Sequence, residues 1–289
     1  MLNILDTILD WLKQILKDCI LDNLTGLFDQ INTEVGEVAA NVGTTPAAWN
    51  AGVFSMIRTL SDNVIIPIAG VILTFVLCYE LISMVIDRNS FHDFETFTLF
   101  KWVFKAYVAV MLVTHTFDIT VSIFEIAQNI VHQSAGIVTG STSIDFAAAV
   151  GDISAQLESM EIGELFGLLV ETLLLRLTMP ILSLCVMLVL VGRMIEIYIY
   201  CSVGAIPLAT MTNREWGQMG QNYLRGLVAL GLQGFFIMVC VAIYAVLIGE
   251  IGSAANIHAA IWQCAGYTVL LCFSLFKTNS VSRAILNAH

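Results

Sequence analysis

The sequence predicts an all-α polytopic membrane protein with about five transmembrane helices, an N-terminal amphipathic helix and one larger external loop. Three observations predict it. Of 289 residues, 58% are hydrophobic and 12% charged, with a mean hydropathy of +0.85, whereas an ordinary soluble domain carries about 25% charged residues. Several stretches of roughly 20 residues are nearly free of charge, the length that crosses a hydrocarbon core as a helix. The few basic residues fall in clusters between those stretches, the pattern that orients membrane spans.

Residues 2–31 read as the amphipathic helix. Leu5, Ile8, Leu12, Ile15, Cys19, Leu24 and Leu27 recur at helical spacing, with Asp6, Asp10, Lys13 and Lys17 on another face. Too interrupted by charge to span, this helix is expected in an interface or against partner helices. A loop with Gly36, Gly43 and Pro46 follows, then a second amphipathic piece from Trp49 to Leu60. Residues 1–62 thus form an interfacial, extracytoplasmic region, and 63–289 the transmembrane domain.

Five spans are predicted, at about 64–86, 102–124, 177–200, 224–248 and 258–276. Arg88 and Lys101 lie between the first and second, with Lys105 at the start of the second. Arg193, Arg214 and Arg225 surround the connection between the third and fourth, and Lys277 and Arg283 follow the fifth. From Ala106 to Leu175 there is no Lys or Arg. The positive-inside rule then puts the N-terminus outside and the C-terminus inside a bacterial cytoplasmic membrane. The segment 126–163, rich in small and polar residues and carrying Asp145, Asp152, Glu158 and Glu161, reads as the large external loop with one short helix.

Composition and motifs exclude several functions. A formal charge of -11 with 12 basic residues disfavours a nucleic-acid surface, which needs clustered Lys and Arg. The opening MLNILDTILDWLKQ lacks the basic region of a secretory signal. The seven cysteines are scattered without a CxxC pair and read as small core hydrophobes. No GxxxxGK[ST], HExxH or GxSxG occurs. A non-enzymatic protein without cofactor or metal is expected, so any uphill transport draws on an ion gradient or a partner ATPase.

The second predicted span carries a distinctive polar row. His115, Asp118, Ser122, Glu125, Asn129 and His132 recur every three or four residues, which places them on one helical face. Two readings stay open: a hydrated stripe lining a conduit, because ionisable groups at membrane depth face a cavity, a pore or one another, or the solvated face of a helix that leaves the membrane near Phe117. In the third span, Arg176 and Arg193 are 17 residues apart, about 25 Å along a helix. That distance lets the pair snorkel to opposite interfaces, with Glu196 neutralising Arg193 at i+3. Pro180 is expected to kink this helix. Gly204 and Pro207 are expected to break the chain where it turns along the inner interface. Arg214, Glu215 and Trp216 then form the cytoplasmic connection, and Gly226, Gly231 and Gly234 let the fourth span pack closely.

A long helix ending in RMIEIYIYCSVGAIPLA, a polar turn, then YLRGLVALGLQGFFIMV resembles the TrbL-like inner-membrane subunits of type IV secretion and conjugation machines, in the versions carried by Gram-positive conjugative elements. The resemblance is strongest over about 165–250. It implies a non-enzymatic channel or scaffold subunit that helps translocate DNA or nucleoprotein. Implied partners are further copies of the chain, membrane lipids, the secretion ATPases, other secretion subunits and, transiently, the transferred DNA. The residues alone leave two alternatives: a stand-alone transporter or ion channel using His115, Asp118, Arg193 and Glu196, and a membrane scaffold that conducts nothing.

Overall fold

A computed structural model describes residues 2–87, 96–141, 146–213, 215–251 and 256–288. Arg88, Asp145 and Arg214, named above, lie outside the described residues, as does the side chain of Asp152. The described chain is helical throughout: α1 (Leu2–Val42), α2 (Pro46–Trp49), α3 (Ala51–Leu60), a π-helical turn (Ser61–Ile65), α4 (Ile66–Asp87), α5 (Thr96–Thr114), α6 (Thr116–Ser141), α7 (Phe146–Glu158), α8 (Ile162–Val203), α9 (Ala205–Thr210), α10 (Gly217–Ile251) and α11 (Ile257–Ile285). Five stretches are long and apolar enough to cross a membrane: Ala51–Ile86, Phe97–Thr114, Ile162–Val203, Gly217–Gly249 and Ile257–Ile285. An all-α polytopic membrane protein is what the composition predicted.

The ends of the helices follow from local chemistry. Thr45 accepts from the Ala48 amide at 3.1 Å and caps α2, whose first residue is Pro46. Proline costs nothing there, because that position has no helical amide bond to lose. Asn50 accepts from Val53 at 3.0 Å and starts α3. Glu164 reaches back to the Glu161 amide at 3.1 Å, half of a capping box at the start of α8. Asn256 caps α11 through the amides of His258 and Ala259. At the other end of α11, Asn287 adopts a left-handed φ of 51°. The Ala288 amide then bonds Arg283 O at 2.9 Å and the Asn287 amide bonds Ala284 O, which is a Schellman closure.

Several boundaries differ from expectation. Helix α1 continues to Val42, with Gly36 inside it. A glycine there costs only about 1 kcal/mol relative to alanine, less than the packing of Val35, Val38 and Val42, all buried, returns. The segment 126–163, predicted as a loop, is mostly helical: α6 extends to Ser141 and α7 occupies Phe146–Glu158. Its small residues include Ala147, Ala148 and Ala149, and alanine is the strongest helix former. The second membrane-grade stretch ends at Thr114, well short of the predicted end of the span. Helix α3 passes through the π-helical turn into α4, so the position 62/63 lies within a helical stretch.

The chain forms two compact units. The first comprises residues 1–42, 131–190 and 236–278. One apolar core holds it, in which Ile20, Ile31, Leu165, Met179, Leu182 and Ile237 are almost fully buried. Its polar links are few: Arg176 Nη1 donates to Asn23 Oδ1 at 3.1 Å, Ser183 donates to Glu34, Tyr244 and Thr268 share a hydrogen bond at 3.0 Å, and His258 Nδ1 lies 2.7 Å from Glu171 Oε2. The second unit comprises residues 43–130, 191–235 and 279–289. It has two smaller cores. Phe117, Phe124, Ile197, Leu227 and Leu230 form one, and Ala69, Leu73, Ala109, Val113, Ala205 and Ala209 form the other. Four alanines in the latter bring α4, α5 and α9 close together, the small-residue route to tight helix packing in lipid.

Candidate functional site

Within the second unit the polar row on α6 starts at an interruption at His115. Thr114 Oγ1 donates to the carbonyls of Val110 and Met111, and Thr116 Oγ1 to those of Leu112 and Val113, at 2.8 to 3.2 Å. Back-bonding threonines on both sides of one residue compete with the backbone amides and bend helices, which accounts for the break. His115 itself and, beyond it, Asp118, Ser122, Glu125 and Asn129 are all exposed; His132, also exposed, belongs to the first unit. On the same helix Phe117, Thr120, Val121, Phe124, Ala127 and Gln128 are buried. The single face inferred from spacing is therefore present, and it begins where the apolar stretch ends. Asp118 is engaged by Arg58 at 3.0 Å, both side chains about half exposed, and the Arg58 guanidinium also lies over Phe117. Arg58, on α3, is a partner that spacing alone had no means to find.

Arg193 and Glu196, expected to neutralise each other at i+3, have different surroundings. Arg193 is buried, 3% exposed, so it does not snorkel to water. Glu196 turns to α11. Asn279 Nδ2 donates to both of its carboxylate oxygens at 3.1 Å, and Arg283 Nη2 approaches at 3.4 Å. Arg283 Nε in turn donates to Asn279 Oδ1 at 3.0 Å, and its guanidinium lies over the Tyr200 ring. The carboxylate thus has one neutral and one charged donor from α11, the charged one the stronger kind. The i, i+4 spacing of Asn279 and Arg283 was the available signal for this cluster. In the first unit Arg176 is exposed and bonds Asn23.

Of the expected helix breaks, Pro207 resolves differently. Helix α8 runs uninterrupted through Pro180. The chain leaves it at Gly204, and Pro207 sits in the first turn of α9, where a missing amide is tolerated. So Pro207 helps to start a helix instead of ending one. Gly204 has an ordinary right-handed backbone, φ -55°, and is required for space. A Cβ there would meet Tyr223 Oη at 2.2 Å and Thr116 Cγ2 at 2.8 Å. Tyr223 Oη donates to Tyr200 O at 2.9 Å and lies 3.4 Å from Thr120 Oγ1, with the Tyr200 and Tyr223 rings stacked. This knot ties α6, α8 and α10 together. Nearby, Tyr198 Oη donates to Pro46 O at 2.7 Å and anchors the first residue of α2.

The polar connection after α9 is docked on α4. Asn213, buried, accepts from the amides of Glu215 and Trp216 at 2.7 and 3.2 Å. Trp216 stacks on Phe75 and Tyr79, and Tyr79 Oη donates to Glu215 at 3.3 Å. Beside this turn lies an open cleft of about 630 Å³, whose lining includes the Glu80–Lys105 ion pair, Gln221, Asn222 and Arg225. Its mixed charge suits water and headgroup-like polar groups and provides no nucleophile–base pair. Among the described residues no set of three His, Cys, Asp or Glu side chains is placed to hold a metal ion.

The arrangement is thus one of interhelical polar contacts, a polar turn docked on α4 and an exposed polar helix face. Residues 31–205 match the family model described as TrbL/VirB6 plasmid conjugal transfer like protein. The chain belongs to that family. No curated protein and no solved structure matches the chain. The TrbL/VirB6 match takes in most of the N-terminal third, including the last part of α1, where the resemblance read from sequence was weaker. It ends at Ala205, so YLRGLVALGLQGFFIMV on α10 lies beyond it. The Arg193, Glu196 and Gly204 positions fall inside the matched TrbL/VirB6 region, as does the whole of the polar row on α6.

Proposed function

We propose that this TrbL/VirB6 family member is a non-enzymatic channel or scaffold subunit of a conjugative type IV secretion machine, acting as a homo-oligomer in the cytoplasmic membrane. In that role it helps DNA or nucleoprotein cross the membrane beside the secretion ATPases and other subunits. The observation that carries the reading, beyond family membership, is the exposed row from His115 to Asn129 in the second unit, on a helix whose other face is buried. Such a row suits a hydrated surface shared with substrate or neighbouring subunits. The positive-inside pattern supports an external N-terminus and an internal C-terminus.

A mating assay tests the function. A deletion strain transfers at background frequency and wild-type complementation restores transfer. Complementation with Ser122→Leu/Glu125→Leu restores membrane accumulation but lowers transfer at least tenfold. Wild-type transfer by the deletion strain sinks the reading, and full transfer by the double variant removes the α6 face from it. Single-cysteine labelling at Ser159 and Gln218 tests the orientation, which requires access from opposite sides.

A further inference from the structure

Helix α1 is too polar to be one of the five membrane-grade stretches, yet its contacts put it at the depth of three of them. Within the first unit, Asn23 bonds Arg176 and Glu34 is bonded by Ser183, both on α8. Glu34 also lies close enough to Tyr244 of α10 to interact with it electrostatically, and Tyr244 bonds Thr268 of α11. Ser183, Tyr244 and Thr268 each fall well inside a membrane-grade stretch. Leu27, Ile31, Val35 and Val38 share one core with Leu182, Val186, Val241 and Leu271. The apolar edge of α1 is therefore packed against membrane-grade helices, and its second half lies level with their apolar stretches.

The opposite edge of that half carries Asp29, Asn32, Thr33, Glu37 and Asn41, all exposed. No Lys or Arg occurs between Lys17 and Arg58. Lipid tails are a costly neighbour for such an edge, because carboxylates at membrane depth face water or a compensating partner. The same edge of a second copy would set carboxylates against carboxylates. Water would satisfy both carboxylates. We propose that α1 is a membrane-embedded helix whose acidic edge forms one wall of a water-filled groove, with the Asp29 and Glu37 carboxylates facing that water. The wall favours cations and does not hold a polyanion. The inference rests on the membrane placement of α8, α10 and α11, not on the substrate of the machine, so it and the mating assay fail separately.

Thiol accessibility of the full chain in its native membrane tests it. In a Cys19→Ser/Cys78→Ser background, single cysteines replace Asn32, Thr33 or Asn41 on α1, and Leu177, Ile181 or Leu188, exposed apolar residues of α8. A membrane-impermeant methanethiosulfonate is applied from either side. The α1 thiols react at least 100-fold faster than the α8 thiols, and a cationic reagent outpaces an anionic one at least tenfold at position 32. Rates at the α1 positions as slow as those on α8, while a cysteine at Ser159 in the same background still labels, overturn the proposal. So does protection of the α1 thiols together with a disulfide between two copies at those positions, since a second chain then covers the edge.

Discussion

Glycines without room for a side chain fall in the second unit, although Gly70 and Gly192 there are as open as those of the first. In the first unit a Cβ added at Gly26, Gly36, Gly163, Gly167 or Gly266 would meet nothing within 4 Å. In the second unit a Cβ at Gly204 meets Tyr223, one at Gly226 meets Tyr200 Oη at 2.7 Å, and one at Gly220 meets Met211 Cγ at 2.1 Å and Pro207 O at 2.6 Å. The polar contacts divide in the same way. The first unit rests on one broad apolar core with a handful of links, whereas the second threads hydrogen-bonded tyrosines and an Asn–Arg–Glu cluster between small cores. One unit depends mainly on volume, the other on close geometry.

The largest effect should come from emptying the broad core. Ile31→Ala, at a site 1% exposed, is expected to cost about 4 kcal/mol through lost burial and a cavity. Ile31→Leu should cost under about 1.5 kcal/mol, because volume is kept. Thermal unfolding of the detergent-purified protein measures both, and equal losses would contradict a volume-dependent unit. Next comes Gly220→Ala, expected to cost about 3 kcal/mol because a backbone carbonyl cannot swing aside. Its counterpart Gly36→Ala should stabilise by about 0.5 kcal/mol or more. Comparable shifts from the two glycines would erase the contrast between the units.

Smaller effects refine it. Tyr223→Phe should cost about 1 kcal/mol by removing the hydrogen bond to Tyr200 O, with the stacked rings left in place. The same unfolding measurement reads it, and no loss would mean that the ring alone holds the knot. The smallest is Asp118→Asn, at most about 0.5 kcal/mol, because both members of the Arg58 pair are about half exposed. A double-mutant cycle with Arg58→Ala measures the coupling. A value above about 2 kcal/mol, well beyond the range of exposed pairs, would show that the α6 face relies on this pair for its position.

Much of this architecture is legible in the order of the residues. Charge-free stretches mark the five membrane-grade helices, since hydrocarbon thickness sets their length. The 3–4 spacing places the α6 row on one face, since helical period alone decides that. The loop expected over 126–163 misled because its small residues serve helix as well as loop. The α11 partners of Glu196 were missed because i, i+3 spacing states only what is near along one helix. Glu196 chose Asn279 and Arg283, more than eighty residues away.

The polar connection around Gly204 shows the division most clearly. Its sequence alone determined that a membrane-grade helix stops there and that a polar turn follows, because a glycine and a run of polar residues cannot continue an apolar span. Tertiary structure decided why it must be glycine, which is the Tyr223 ring standing where a Cβ would be. It also decided where the turn goes, since Trp216 stacks on Phe75 and Tyr79 of α4. In α1, likewise, sequence determined an acidic edge opposite an apolar one, and packing decided the depth at which that edge sits. Periodicity and hydropathy are properties of one segment, whereas contact, exclusion and depth are properties of pairs.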